Sequence, residues 1–314
     1  MKLSLLIAVL GIGCCALASA SEPVWMQDVN VLADDMMEGR EVGSKGSKRS
    51  REYLMERYAE IGIEPLPALN DYSQPFSAIR KNKPLAGTNV VGQLKGALDR
   101  YIVVSAHYDH IGRKGRRIFN GADDNASGVA AMLYLAAQSQ QSGRQCHQVF
   151  LASDAEEHGL LGARAFVSSD VVAAKSIFVN LNLDMLSQPG GRKEVLVSGN
   201  LSHPAFNCII EDIELASNMP MIATDEKRRV GRYPSLVDRR KVSDHAAFAE
   251  QGIPFLFLGV GRHSYYHTPR DTASRVNQSF YGETVAIAWQ YLQKLDALCA
   301  NTNPHRNLPS QSDP

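Results

Sequence analysis

Ile102-Val103-Val104-Ser105-Ala106-His107-Tyr108-Asp109 is the stretch on which the fold turns. A short apolar run, β-branched at its start, breaks abruptly into His, Tyr and Asp. Such a run reads as a strand buried on both faces, as in a parallel sheet. Comparable runs recur at Asn89 to Leu94, Val149 to Ala152, Ile177 to Leu183, Val195 to Val197 and Pro254 to Leu258. Between them lie helical patterns at Ser127 to Gln138, Gly159 to Val167, His203 to Ser217 and Gln278 to Leu298. An earlier helix over Ser47 to Gly62 places Leu54, Tyr58 and Ile61 three and four residues apart, with Gly62 and Pro65 as its stop. Strands alternating with helices predict an α/β fold: a three-layer α/β/α sandwich around a mixed, largely parallel sheet.

No internal repeat or Ser/Gly-rich linker divides the chain, so a single domain is expected over residues 21–299. Before it, Lys2, the apolar run Leu3 to Leu10 and the small residues Ala18-Ser19-Ala20 predict a secretory signal over residues 1–20. Cys14 and Cys15 fit a lipid-modified cysteine poorly, because Gly11 precedes the first by three and Cys14 directly precedes the second. No later stretch reaches the roughly 18 to 20 apolar residues of a membrane span. The expected product is exported, periplasmic or secreted, and a monomer. Residues 300–314, rich in Asn, Pro, Ser and Gln, are expected to be a disordered tail. The 33 basic side chains balance 33 acidic ones. That balance gives no electrostatic case for nucleic acid or a membrane surface as partner. Cys146, Cys208 and Cys299 remain after the leader, allowing at most one internal disulfide. The basic segment Asp225 to Lys241 reads either as a lid or as a solvated excursion.

The polar residues that break the strands carry the chemistry. His107 and Asp109 follow one strand, Asp154, Glu156 and Glu157 the next, and Asp184 a third. In an open α/β sheet the carboxyl ends of the strands line the ligand crevice. Any one of these residues alone would pass as a loop carboxylate or helix cap; at consecutive strand ends they describe a site. Carboxylates and imidazoles without a reactive cysteine suit zinc, and paired sites of this composition hold two metals roughly 3.5 to 4 Å apart. Two metals need a bridge. Gly121-Ala122-Asp123-Asp124-Asn125-Ala126-Ser127-Gly128 offers adjacent carboxylates on a turn before a helix, where Asn125 or Ser127 would also serve as N-cap.

Six ordered motifs now resemble those of the co-catalytic zinc aminopeptidase family: His107-Tyr108-Asp109, Gly121 to Gly128, Asp154 to Gly159, Asn182-Leu183-Asp184-Met185, Ser243-Asp244-His245 and Tyr266-His267-Thr268. The family includes secreted bacterial leucine aminopeptidases, glutamate carboxypeptidase and glutaminyl cyclase. Leu32 to Arg40 looks like its usual first helix and loop, so the resemblance spans roughly residues 30–296. It implies two Zn2+ ions, one on His107 and Asp184, the other on Glu157 and His267. Asp124 and a water or hydroxide would bridge them. Asp124 is chosen over Asp123 because it directly precedes the Asn-Ala-Ser-Gly run. The family's pattern also implies a cis peptide bond from Asp124 to Asn125.

Glu156 resembles the general base: beside a metal-bound neighbour, it is placed to take a proton from the bridging water. Asp109 resembles the carboxylate that orients the metal-bound imidazole, and Asp244 is expected to support the site from behind. Tyr266 matches a position where some members hold a phenol for the tetrahedral oxyanion; Tyr265 beside it reads as packing. His110, His245 and His263 are assigned by no motif and are expected on the surface or in the core. The activity implied is hydrolysis of the N-terminal peptide bond of peptides with a free N-terminus. The alternatives are a carboxypeptidase or dipeptidase on acidic peptides, with Arg228, Arg229, Arg232, Arg239 and Arg240 as carboxylate clamps, a glutaminyl cyclase, and a non-catalytic binding ectodomain.

Overall fold

The computed structural model describes residues 22–189, 193–217, 219–223 and 242–302. The signal segment, the arginines of the basic loop and the tail from residue 303 lie outside the described residues. The chain begins with α1 (Val24–Leu32) and α2 (Lys45–Ile61). Ser44 caps α2 by accepting the Ser47 N–H at 3.0 Å, and Gly62 closes it in the left-handed conformation at φ 86°. That closure needs glycine's freedom at positive φ. Strands β1 (Ser73–Arg80) and β2 (Lys83–Leu94) form a hairpin, followed by β3 (Leu98–His107) and the small ribbon β4 (Gly112–Lys114) with β5 (Arg117–Phe119). Next come α3 (Gly128–Gln141), β6 (Cys146–Ser153), α4 (Leu161–Val167), β7 (Ile177–Asp184) and β8 (Val195–Ser198). The remainder is α5 (Phe206–Ser217), β9 (Met221–Ala223), α6 (His245–Glu250), β10 (Phe255–Gly259) and α7 (Gln278–Asn301).

The main sheet has eight strands in the order β1-β2-β6-β3-β7-β10-β8-β9. Its centre, β6-β3-β7-β10, is parallel throughout, whereas β2 joins β6, and β8 joins β10, in antiparallel fashion. The sheet is therefore mixed around a parallel core. Alternation along β3 explains why its sequence shows no polar face. Ile102 and Val104 pack into a cluster with α1, α2, α3, α5 and α7, while Val103 packs opposite with Ala163 and Phe166 of α4 and Phe248 of α6. Helices on both faces leave the charged groups to the strand ends, while Ser105, Asn180 and Asn182 satisfy one another within the sheet.

Two boundaries differ from expectation. The hairpin arm β1 has no signature in the sequence, because its exposed positions alternate with half-buried ones at the sheet edge. Helix α7 runs on to Asn301, tied there by the Cys146–Cys299 disulfide, so the helix takes the first residues assigned to the tail. Cys208 is left exposed as a free thiol.

Candidate metal centre

Three adjacent parallel strands deliver the first residues. His107 ends β3, Asp184 ends β7, and the segment after β6 carries Asp154 to Glu157. Because β6, β3 and β7 are neighbours in register, with His107 opposite Ser153, these ends meet at one rim. His107 Nε2 lies 3.4 Å from Asp184 Oδ1 and 3.4 Å from Asp124 Oδ1. The other oxygen of Asp124, Oδ2, lies 3.0 Å from His267 Nε2. Glu157 Oε1 is 3.3 Å from the same nitrogen. Asp124 thus turns one oxygen to each of two clusters.

The turn that presents Asp124 is held from several directions. The Asp271 carboxylate accepts the backbone N–H of Asp123 at 3.0 Å and of Asp124 at 3.1 Å. Asn125 donates to the Leu183 carbonyl at 3.0 Å, and its Oδ1 accepts the N–H groups of Gly128 at 2.9 Å and Met185 at 3.1 Å. It therefore caps α3 and locks the turn to β7 at once. Gly128 must be glycine, since a Cβ there would stand 2.3 Å from Asn125 Oδ1 and 2.5 Å from the Leu183 carbonyl. The Asp124–Asn125 peptide bond is cis. Asp123 is otherwise engaged: Oδ1 accepts from the Ser187 N–H at 2.7 Å and hydroxyl at 2.8 Å, and Oδ2 lies 3.0 Å from His263 Nε2. Of the two neighbouring aspartates, only Asp124 faces the clusters.

Beneath this turn lies Arg40, fully buried. Its guanidinium donates to the carbonyls of Tyr108, Leu32, Asn120 and Gly121 at 2.5 to 2.8 Å. Burial holds its pKa down to about 10, against the opposing pull of Asp124 and Asp271. It remains charged and splints the two loops that carry the site. Arg40 and Asp271 carry no sequence signal of this role, because most of the backbone groups they hold lie far along the chain.

The Glu156 carboxyl lies within electrostatic reach of His107, Asp184, Asp244 and Asp109. Burial and the neighbouring carboxylates push it well above the usual range, although His107 opposes them. Asp109 spends its carboxylate on the N–H groups of Glu156 at 2.9 Å and Glu157 at 3.3 Å. His107 Nδ1 meets the Asp109 carbonyl at 3.1 Å, nearer than its carboxylate at 3.7 Å. Asp244 is buried behind the rim, accepts from the Ser153 hydroxyl, and is pushed up to about 6 by burial. Tyr266 stacks on the His267 ring, centroids 3.8 Å apart, and the Arg262 guanidinium lies over the Tyr266 ring, 5.2 Å from its centroid. Burial, then Asp124, Asp184 and Glu157, raise its phenol, which stays protonated at neutral pH. Tyr265 receives Arg270 and Arg275 against its ring.

The three unassigned histidines part company. His245 stacks between Phe255 and Phe257 as a core residue. His263 engages Asp123. His110, expected in the core or on the surface, instead lies with Nδ1 2.9 Å from Glu157 Oε1. The donor set of nitrogen and carboxylate oxygen suits zinc. Asp184 Oδ1 and Glu157 Oε1 fit a cation as well: both are buried and, among the described residues, neither has a hydrogen-bond partner. Buried carboxylate oxygens without a donor call for a positive charge.

Comparison with known proteins bears on the family and the fold. Residues 89–292 match the model of peptidase family M28. Aminopeptidase YwaD of Bacillus subtilis is 25% identical over 253 residues, covering 77% of this chain and 49% of that protein. The chain spans between 20% and 49% of the length of the first curated relatives it matches. Among solved structures, a zinc aminopeptidase from Bacillus subtilis superposes with TM-score 0.67 at 15% identity, covering 90% of this chain and 97% of that one. The glutaminyl cyclase of Porphyromonas gingivalis superposes with TM-score 0.66 at 17% identity, covering 88% and 97%. At such identity these two speak for the fold alone, the mixed α/β sandwich of zinc exopeptidases. With the family model covering most of the chain, from β2 into α7, the protein belongs to peptidase family M28.

Proposed function

We propose that the protein is an exported aminopeptidase that uses two zinc ions to hydrolyse the peptide bond after a free N-terminal residue. The observation that carries this reading is Asp124, whose two oxygens face two separate clusters of His and carboxylate. His107 and Asp184 would hold one ion, Glu157 and His267 the other, with Asp124 between them. Bound zinc supplies Lewis acidity at the scissile carbonyl, an anchor for the substrate amine, and a water whose pKa falls to about 7.

The chain's own groups do the rest. Glu156 takes the proton from the attacking water as its oxygen bonds to the carbonyl carbon, then returns it to the amine as the C–N bond breaks. Burial and the carboxylates around it raise the Glu156 carboxyl in the metal-free site, and cations on its neighbours would pull it back toward the ionised form that a base needs. Asp109 fixes the Glu156 and Glu157 backbone, so base and ligand keep their separate directions. The Tyr266 phenol, kept protonated, donates to the developing oxyanion. A one-metal glutaminyl cyclase would leave one cluster without a purpose. Among the described residues no helix is long and apolar enough to cross a membrane. Stripping metal with a chelator and restoring zinc tests the reading. Peptidase activity should vanish and return with two zinc ions per chain; activity indifferent to metal would refute it.

A further inference from the structure

His110 is a fully buried imidazole with no purpose in the reading above. Among the described residues neither of its ring nitrogens has a hydrogen-bond partner. Leaving such a group unsatisfied in the interior is costly, because its lost bonds to water are not replaced. Its Nδ1 lies 2.9 Å from Glu157 Oε1 and 3.8 Å from Asp124 Oδ2. Those are the same two oxygens that His267 Nε2 approaches at 3.3 and 3.0 Å. The contact with Glu157 is short enough for a hydrogen bond but is not aligned as one, since both atoms remain without a partner. A shared proton therefore does not explain it. A cation does: zinc bonds of about 2.0 to 2.1 Å in a tetrahedron set ligand atoms about 3.3 Å apart. The separations of 2.9, 3.0, 3.3 and 3.8 Å straddle that edge.

The ring is also held in place. A Cβ on Gly121 would stand 2.6 Å from His110 Cδ2, so the imidazole lies directly against that glycine. Gly121 is in turn fixed by Arg40, which binds its carbonyl at 2.8 Å. The rings of His110 and His267 meet edge to face, with centroids 5.7 Å apart.

We propose that His110 is a fourth protein ligand of the second cation, binding through Nδ1 beside Asp124, Glu157 and His267. The proposal rests on the two-zinc reading and deepens it. It gives the loop half of the site two imidazoles and the strand half one. The second ion would then be held more tightly than three ligands allow, and its free coordination positions would be fewer.

Titration of the metal-free protein with Co2+ tests this without any assay of activity. The parent protein should take two ions. His110→Gln and His110→Asn should keep the first ion unchanged and bind the second more than about 100-fold more weakly, beyond the 10- to 100-fold typical of outer contacts. A smaller loss, or none, would overturn the proposal. A parent protein that takes only one ion would instead sink the two-zinc reading beneath it. Should both variants fail to fold, proton NMR of the di-cobalt parent decides. Each ligating imidazole contributes one paramagnetically shifted, exchangeable N–H. Three such resonances are expected; two would exclude His110.

Discussion

The two halves of the site are built on different principles. His107 and Asp184 stand on the ends of paired strands in the centre of the sheet, and the His107 side chain is only 1% exposed. Glu157 and His267 come from loops, and the His267 side chain is 35% exposed, at a residue whose φ is 54°. The strand half is fixed by the ladder of the sheet and by apolar packing beneath it. The loop half must be fixed piece by piece, by Asp109 on the Glu157 backbone and by Arg40 and Asp271 on the loops around Asp124. A site that must admit substrate needs one open side, and only loops can leave one without opening the core. The difference assigns rigidity to one half and access to the other.

The largest effect should come from the proposed base, which lies near His107 and Asp184 of the strand half. Glu156→Gln should lower kcat by roughly 10²- to 10⁴-fold, the usual worth of a general base, with two zinc ions still bound. Retained turnover would show that Glu156 is an acidic neighbour and no more. Removing the splint of the loops ranks next. Arg40→Met takes the charged donor from four buried carbonyls, although that of Gly121 keeps the Ala126 N–H at 3.1 Å; each hydrogen bond to a charged group is worth about 1.5 to 3 kcal/mol. Chemical denaturation should show a loss on the order of 3 to 5 kcal/mol, as for breaking a buried charged network. A loss under 1 kcal/mol would mean that the loops hold themselves.

Ligand variants sharpen the contrast directly. His107→Ala should lower thermal stability as well as metal content, since it leaves Asp184 and Glu156 facing a void beside the sheet. His267→Ala should cost the second ion and leave the melting temperature of the metal-free protein nearly unchanged. Equal destabilisation by the two would dissolve the distinction.

A further effect is expected on pH. Burial pushes Asp154 up to about 7, and Asp244 and Asp271 up to about 6, when no metal is bound. Their unfolded values lie near 3.9, so between about pH 4 and 7 the folded state holds more protons than the unfolded one. Their stability is fully present below about pH 4 and is lost as pH rises through 6 to 7. The metal-free protein should therefore melt at a lower temperature at pH 7.5 than at pH 5, and zinc should flatten the slope. A melting temperature that rises over this range would contradict the assignment.

Most of the strand half was legible in the sequence, because burial on both faces writes a continuous apolar run and its polar end is conspicuous. His107 and Asp184 mark the ends of two such runs, and the order of six motifs added Glu157 and His267. The loop half was legible only in part. Arg40, Asp271 and His110 show no periodicity, and apart from Leu32, eight residues before Arg40, the backbone partners of Arg40 and Asp271 lie 68 to 148 residues away, while His110 meets the segment after another strand. His110 was the nearest to being read, standing three residues after His107, but proximity in sequence did not reveal which way its ring turned. The choice of Asp124 over Asp123 came from register, and the physical reason emerged only with Ser187 and His263 occupying Asp123. The edge strand β1 escaped because half-exposed strands carry weak patterns.

The central claim is that the open, loop side of a two-zinc centre receives a free N-terminus. The most direct measurement incubates the zinc-loaded protein with matched peptides that differ only in a free or acetylated N-terminal amine. Release of the first residue from the free peptides alone is the predicted result. Cleavage of the acetylated peptides, or release of a C-terminal residue from both, would contradict the account.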